Sequence, residues 1–330
     1  MAEKPTPSSD QSAIASNQGT GDFPNRGLRI IIVHGGLYNR LLKEKGLMGI
    51  FMKGIEEAAK KGYQFLEDGG TAVDAVEAAV RHLEEDVNFN AGRGSFLNSK
   101  NKVECDAMIM DGKTLEAGAV MAVRHFQHPV MLSRAVMEKS EHCVLCADGA
   151  YEFAQSKGFA SILDDPDDLI VLEGDEEKNE ISMLRPGVVG GLDQYSDSVA
   201  AVAIDSKGNF ACAMSTGGTP KKLKGRVGDV PLIGCGGYAN DYATAAACGH
   251  GESIIKMTLA KEIVYNIERG QNAQEAARNA VERMNSEDRV TKFAGVIAID
   301  KQGNMGIETN ATFMPWVSIR NGEMDWSRDE

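Results

Sequence analysis

The chain is short of cations: 35 Lys and Arg stand against 48 Asp and Glu, a formal charge of −13. Such a balance leaves no cationic face for phosphate, so nucleic acid is not an expected partner. Long apolar runs are also missing. None approaches the roughly 18 residues needed to span a bilayer, and no membrane partner is expected. The first 26 residues are rich in Ser, Pro, Asn and Gln and lack an apolar h-region. They read as a disordered tail rather than a secretory signal. Six Cys (105, 143, 146, 212, 235 and 248) in 330 residues are too sparse for a disulfide framework, which points to cytoplasm as the compartment. Cys143-Val-Leu-Cys146 is a CxxC without a second pair. It reads either as half a zinc site or, preferably, as two thiols on a buried strand.

What is present is ordinary for a soluble globular protein: 42% hydrophobic and 25% charged residues, over a length that buries a full core. Leu28-Arg-Ile-Ile-Ile-Val-His34 is an apolar, β-branched run ending in Gly35-Gly36, a buried strand entering a tight bend. A helical pattern runs from about Leu47 to Glu67 and stops at Gly69-Gly70, and Thr71-Ala-Val-Asp74 starts a second helix reaching Leu83. Residues 102–123 read as two strands around Asp111-Gly-Lys113. Further helices are predicted at 129–139, 147–157, 252–268 and 273–285.

Residues 163–197 change character. Asp164, Asp165, Asp167 and Asp168 open a stretch without periodicity, read as a mobile, exposed linker. It ends abruptly at the apolar strand Ser198-Val-Ala-Ala-Val-Ala-Ile204. Ile204-Asp-Ser-Lys-Gly-Asn209 and Ile299-Asp-Lys-Gln-Gly-Asn304 are similar turns, each joining two strands into a hairpin with a residue at positive φ. Tandem hairpins without βαβ alternation predict an α+β fold.

Three segments join small residues to reactive ones: Asp197-Ser198-Val, Ser215-Thr216-Gly217-Gly218, and the stretch from Gly225-Arg226-Val-Gly-Asp229 to Cys248-Gly249-His250-Gly251-Glu252. Singly each is weak, since Ser-Thr-Gly-Gly is common turn chemistry. Arg226 and Asp229 taken alone read as a surface i,i+3 ion pair.

Taken in order, these segments resemble one family. With His34-Gly-Gly36, Phe89-Asn-Ala-Gly92 and Asp106-Ala-Met-Ile-Met-Asp-Gly112, residues 28–320 are similar to the plant-type asparaginase and isoaspartyl-peptidase branch of the N-terminal-nucleophile hydrolases. These include cytosolic enzymes acting on L-asparagine and β-aspartyl dipeptides. The resemblance implies a four-layer αββα sandwich: one domain over 28–330 behind a tail at 1–27. It also implies a precursor that cuts itself between Asp197 and Ser198 into chains 1–197 and 198–330, and a homodimer of processed protomers. Ser198 would be the nucleophile, with its freed α-amine, pKa about 7.7–8.0, as the local base.

Other roles carry over by position. Thr216 would hydrogen-bond the nucleophile, Arg226 would clamp the substrate α-carboxylate and Asp229 its α-ammonium. Gly249 and Gly251 would complete the pocket, the Gly249 N–H lying in the oxyanion hole. No cofactor is implied for catalysis. A structural sodium ion is, held by backbone carbonyls of Leu83, Glu84, Asp86, Phe89, Ala91 and Arg93, with Asn90 turned toward the site.

The chain departs from the family pattern at three places. Ser198 replaces Thr and loses the β-methyl that restricts χ1. Cys248 stands where the family has an oxyanion-hole Thr, and a thiol is the weaker donor. Leu37-Tyr38-Asn39 follows His34-Gly-Gly where the family continues glycine-rich. Slower processing and turnover are expected. A catalytically silent relative is the alternative; a glycosylasparaginase is less favoured because neither its signal nor its disulfides are visible.

Overall fold

In the computed structural model, residues 27–37, 48–170 and 198–328 are described. Ile30–His34 forms β1, buried along its whole length. Its residues alternate between two apolar layers: Ile31 and Val33 toward helices, Ile30 and Ile32 toward a second sheet, as the two-residue period of a strand requires. The same alternation runs through β2 (Cys105–Asp111), β5 (Val199–Ile204) and β6 (Phe210–Thr216).

With β3 (Ala117–Val123), β4 (Val144–Cys146), β11 (Trp316–Arg320) and β12 (Glu323–Trp326) they make an eight-stranded sheet, ordered β12-β11-β1-β5-β6-β2-β3-β4. Every pair in it is antiparallel except β3–β4. A second sheet, β10-β9-β8-β7, comprises β7 (Gly237–Ala239), β8 (Ala243–Gly249), β9 (Ala294–Asp300) and β10 (Met305–Thr309).

Helices α1 (Met48–Glu67), α2 (Ala72–Glu85), α3 (Pro129–Lys139) and α4 (Ala147–Ser156) cover the outer face of the large sheet. Helices α5 (Gly251–Met257), α6 (Leu259–Glu268) and α7 (Ala273–Ser286) cover the small one. The result is four layers, helix–sheet–sheet–helix, in the expected α+β arrangement. Both sheets bury two faces, so each fully buried Ile or Leu contributes about 1.5–3 kcal/mol by leaving water.

Local chemistry explains the boundaries. α1 ends at Gly69, φ +82°, with Gly70 N–H bonded back to the Phe65 carbonyl, a left-handed helix stop. α2 and α7 start on capping boxes, Thr71 with Asp74 and Asn272 with Glu275. The two similar turns do more than reverse the chain. Asp205 Oδ1 accepts the Lys207 and Asn209 N–H groups, and Asp300 Oδ1 those of Gln302 and Asn304. The second oxygen of each reaches a helix start: Asp205 Oδ2 takes Ala72 N–H at 3.3 Å, Asp300 Oδ2 Ala273 N–H at 2.9 Å. Each hairpin thereby anchors the positive end of the helix packed on it.

Three expectations are corrected. The helix predicted over 252–268 breaks at Thr258, φ +48°. The amides freed at the new start are taken by a neighbouring loop, Ala260 N–H by the Cys235 carbonyl and Lys261 N–H by that of Gly234, a tertiary compensation with no local signal. Cys143 and Cys146 are exposed rather than buried, because β4 is a three-residue edge strand.

The start of the expected linker is packed. Leu163 N–H bonds the His125 carbonyl, Leu169 is buried, and Asp167 pairs with Lys102 and Arg124; the remainder, 171–197, lies outside the described residues. Among the described residues no helix is long and apolar enough to cross a membrane.

Candidate functional site

The large sheet sets one row of polar side chains across its inner face. β5 and β6 pair Val199 with Ser215, and the next step of that register sets Ser198 opposite Thr216. β2 in turn pairs Asp106 with Thr216. By alternation with Ala200, Met214 and Met108, Ser198, Thr216 and Asp106 all point into the inter-sheet layer. All three are buried. Cys248, on β8, faces the same layer from the small sheet. Asp197, Tyr38 and Asn39 lie outside the described residues.

Thr216 Oγ1 accepts the Gly218 N–H at 2.9 Å. Asn90 locks the same turn, its Nδ2 donating to the Gly218 carbonyl at 2.7 Å and its own carbonyl accepting Gly217 N–H. Gly217 has no room for a side chain: a Cβ there would lie 2.5 Å from Asn90 Oδ1. Nearby, His34 ends β1, with Nδ1 accepting Gly36 N–H at 3.2 Å. Burial lowers its pKa to about 3, so the imidazole is neutral at physiological pH.

Arg226 and Asp229 converge on Gly251, the first residue of α5. A Cβ on Gly251 would sit 2.8 Å from Asp229 Oδ1 and 2.9 Å from Arg226 Nη2. The alternative i,i+3 ion pair between Arg226 and Asp229 does not form among the described residues. Arg226 instead engages Glu252, in a two-pronged contact with both distances 3.0 Å. Burial pushes Glu252 up, but the Arg226 guanidinium outweighs it and holds the carboxyl below its ordinary value. Asp229 is buried and its Oδ2 has no hydrogen-bond partner among the described residues. Burial raises its pKa to about 7, with the Glu252 and Asp106 charges adding and Arg226 opposing.

Gly249 adopts φ +143°, and a Cβ would collide with the Phe293 carbonyl at 2.2 Å. A left-handed strand end in such close contact admits only glycine. The site therefore places a cation and a carboxylate side by side at Gly251, both within electrostatic reach of Asp106 in the buried Ser198–Thr216–Asp106 row, two residues from a glycine-only strand end. That suits a small zwitterion whose reactive group enters the inter-sheet layer.

The six residues expected around sodium lie at the end of α2 and along the loop after it. Gly92–Gly94 makes a 3-10 turn, and a Cβ on Gly92 would meet the carbonyl oxygens of Glu84 at 2.4 Å and Gln127 at 2.5 Å. On Gly94 it would meet those of Phe89 at 1.8 Å and Val87 at 2.9 Å. The crowded carbonyls are oxygens of the kind a hard cation takes, and of the expected six they include those of Glu84 and Phe89. Among the described residues no group of three or more His, Cys, Asp or Glu is placed to hold a metal.

Sequence reasoning missed Glu252 as the partner of Arg226, and it assigned no role to Glu104, Asp106 or Lys222, all buried next to the turn bearing Arg226. The Asp106 motif and Glu252 were visible as pattern, but nothing in a linear pattern says which charges meet.

A family model described as Asparaginase matches residues 27–327. The chain is 40% identical over 309 residues to an isoaspartyl peptidase/L-asparaginase of Danio rerio, covering 90% of this chain and 94% of the relative. To the Homo sapiens protein of the same name it is 42% identical over 302 residues, covering 91% and 96%. To a plant-type L-asparaginase of Pyrococcus abyssi it is 36% identical over 307 residues, covering 88% and 96%. With a family model matched over almost its whole length and a relative 42% identical over 91% of it, the chain belongs to the asparaginase family.

Proposed function

We propose that this protein is an amidohydrolase that converts L-asparagine to L-aspartate and ammonia and cleaves β-aspartyl dipeptides, after cutting itself between Asp197 and Ser198. The observation that carries this reading is the convergence of Arg226 and Asp229 on Gly251. An α-carboxylate fits the first and an α-ammonium the second, and both substrate classes share that pair.

In maturation, Ser198 Oγ attacks the Asp197 carbonyl carbon and the peptide nitrogen leaves as the Ser198 amine. The resulting ester is hydrolysed by water, freeing chains 1–197 and 198–330. In turnover, the new α-amine takes the Ser198 hydroxyl proton as Oγ attacks the side-chain carbonyl, then returns it to the departing ammonia or peptide amine. Water hydrolyses the acyl-enzyme by the same relay. Thr216 orients the nucleophile, and the Gly249 N–H faces the developing oxyanion, with Cys248 as a weak neighbour.

The carbonyls of Leu83, Glu84, Asp86, Phe89, Ala91 and Arg93 would hold a sodium ion, which would stiffen the loop that presents Asn90. The processed protomers pair as a homodimer in the cytoplasm. Cys248 favours a second reading, a family member that binds aspartate without turnover.

Denaturing mass spectrometry after long incubation tests the proposal: fragments ending at Asp197 and starting at Ser198 are expected, with none from Ser198→Ala. An intact wild-type chain that releases no ammonia from asparagine would sink it, and aspartate binding lost on Arg226→Ala would then favour the second reading.

A further inference from the structure

Behind the Arg226–Asp229 turn lies a set of buried charges that the chemistry above does not use. Glu104, Asp106 and Lys222 are 3%, 0% and 5% exposed. Two acids and a lysine are rarely interred without a task, because each charge costs several kcal/mol to desolvate.

Their contacts are with the turn. Glu104 Oε2 accepts the Gly225 N–H at 3.0 Å; Asp106 lies within electrostatic reach of Gly228 and Arg226, and its Oδ2 has no hydrogen-bond partner among the described residues. Asp106 Oδ1 is held from the other side by Ala122 N–H at 2.8 Å. Lys222 closes the arrangement. Its Nζ donates to the Glu104 carbonyl at 2.7 Å, and its stem lies against Gly218, where a Cβ would be 2.8 Å from Lys222 Cδ. Burial pushes the Asp106 carboxyl up, and the Lys222 charge, then that of Arg226, pulls it back.

The placement matters because Arg226 rides between glycines. Gly225 sits at φ +80°, and a Gly-Arg-Val-Gly turn has far more backbone freedom than a pocket wall tolerates. Glu104 holds the amide of the first of those glycines, and Asp106 lies beside the second. Lys222 in turn joins the acids' strand to the turn that follows Thr216.

We propose that Lys222, together with Glu104 and Asp106, is the anchor that positions the substrate clamp, fixing the Gly225–Asp229 turn so that Arg226 and Asp229 meet the substrate in one geometry. What the clamp holds rests on the function proposed above; that the anchor holds the turn does not.

The test uses the full-length protein. Lys222→Met keeps the stem and removes the ammonium; Lys224→Met, exposed on the same turn, is the control. Hydrogen exchange of the peptide covering residues 219–230 reads the anchor directly, and asparagine kinetics read its consequence. In Lys222→Met, exchange of this peptide should rise and KM should increase about tenfold or more, with kcat falling less than about threefold. Lys224→Met should match wild type in both. Should Lys222→Met not fold, Asp106→Asn carries the same expectations.

The Lys222→Met/Asp106→Asn double variant should lose less than the two single losses combined, since it leaves neither charge unbalanced. Unchanged exchange, an unchanged KM with raised exchange, or strictly additive losses would overturn the proposal. If the wild type neither binds aspartate nor hydrolyses asparagine while exchange responds as stated, the functional reading has failed and the anchor stands.

Discussion

Arg226 and Glu252 meet face to face, Nε to Oε1 and Nη2 to Oε2, both at 3.0 Å. The guanidinium is held in one plane by a side chain from the first turn of α5 that fills its Nε/Nη2 edge, so a substrate carboxylate would meet the Nη1/Nη2 edge, already aimed. Arg226→Lys keeps the charge but loses the planar fork, and Arg226→Ala loses both. Asparagine KM should rise by about tenfold in the first variant and about a hundredfold or more in the second. Steady-state kinetics at fixed ionic strength check the order.

Asp229 carries the pH dependence. Its folded pKa is raised from 3.8 to about 7, so the folded state keeps a proton that the unfolded chain releases. This contribution to stability therefore falls as pH rises from about 4 to 7 and stays lost above. Asp229→Asn should gain Tm relative to wild type near pH 8 and gain little near pH 4. Binding runs the other way, since an α-ammonium needs the ionised form. Aspartate should bind the Ser198→Ala protein roughly tenfold more tightly at about pH 8 than at about pH 6 by calorimetry. In Asp229→Asn that pH response should vanish.

Gly249 and Gly251 are two residues apart and should fail differently. Gly251→Ala favours the helix start but puts a methyl 2.8 Å from Asp229 Oδ1 and 2.9 Å from Arg226 Nη2. It should melt within a few degrees of wild type and lose aspartate binding. Gly249→Ala meets backbone at 2.2 Å from a φ of +143° and should cost about 3 kcal/mol or more of stability, with a marked drop in Tm. Equal melting temperatures would contradict the geometry.

Asp300 tests the hairpin anchors away from the site. It is buried and accepts from Gln302, Asn304 and Ala273 at once. Asp300→Ala should cost about 2–4 kcal/mol in denaturant unfolding, with KM of the remaining folded enzyme unchanged.

Much of this architecture was legible from residue order. β1, α1, α2, α3 and α7 follow from β-branched runs, 3.6-residue periodicity, the capping pairs at Thr71 and Asn272, and the glycine stop at Gly69. β8 was not legible: Ala-Thr-Ala-Ala-Ala-Cys-Gly is buried throughout, so it shows no alternation and its alanines suit a helix equally. Nor was the break at Thr258, which depends on carbonyls of residues 234 and 235.

For the site the division is similar. Sequence alone determined which short motifs exist, Ser198 at the head of a buried strand, Thr216 before a glycine turn, and Arg226 and Asp229 between glycines, because these are local choices of backbone freedom and residue chemistry. Tertiary structure decided the rest. Only sheet register sets Ser198, Thr216 and Asp106 in one row, and only the fold of the 216–229 turn against β2 and α5 gives Arg226 to Glu252 and the Gly225 amide to Glu104. Strand alternation is a property of neighbours in the chain; which charges meet in a buried interior is settled by elements a hundred residues apart, where desolvation makes every unpaired charge costly.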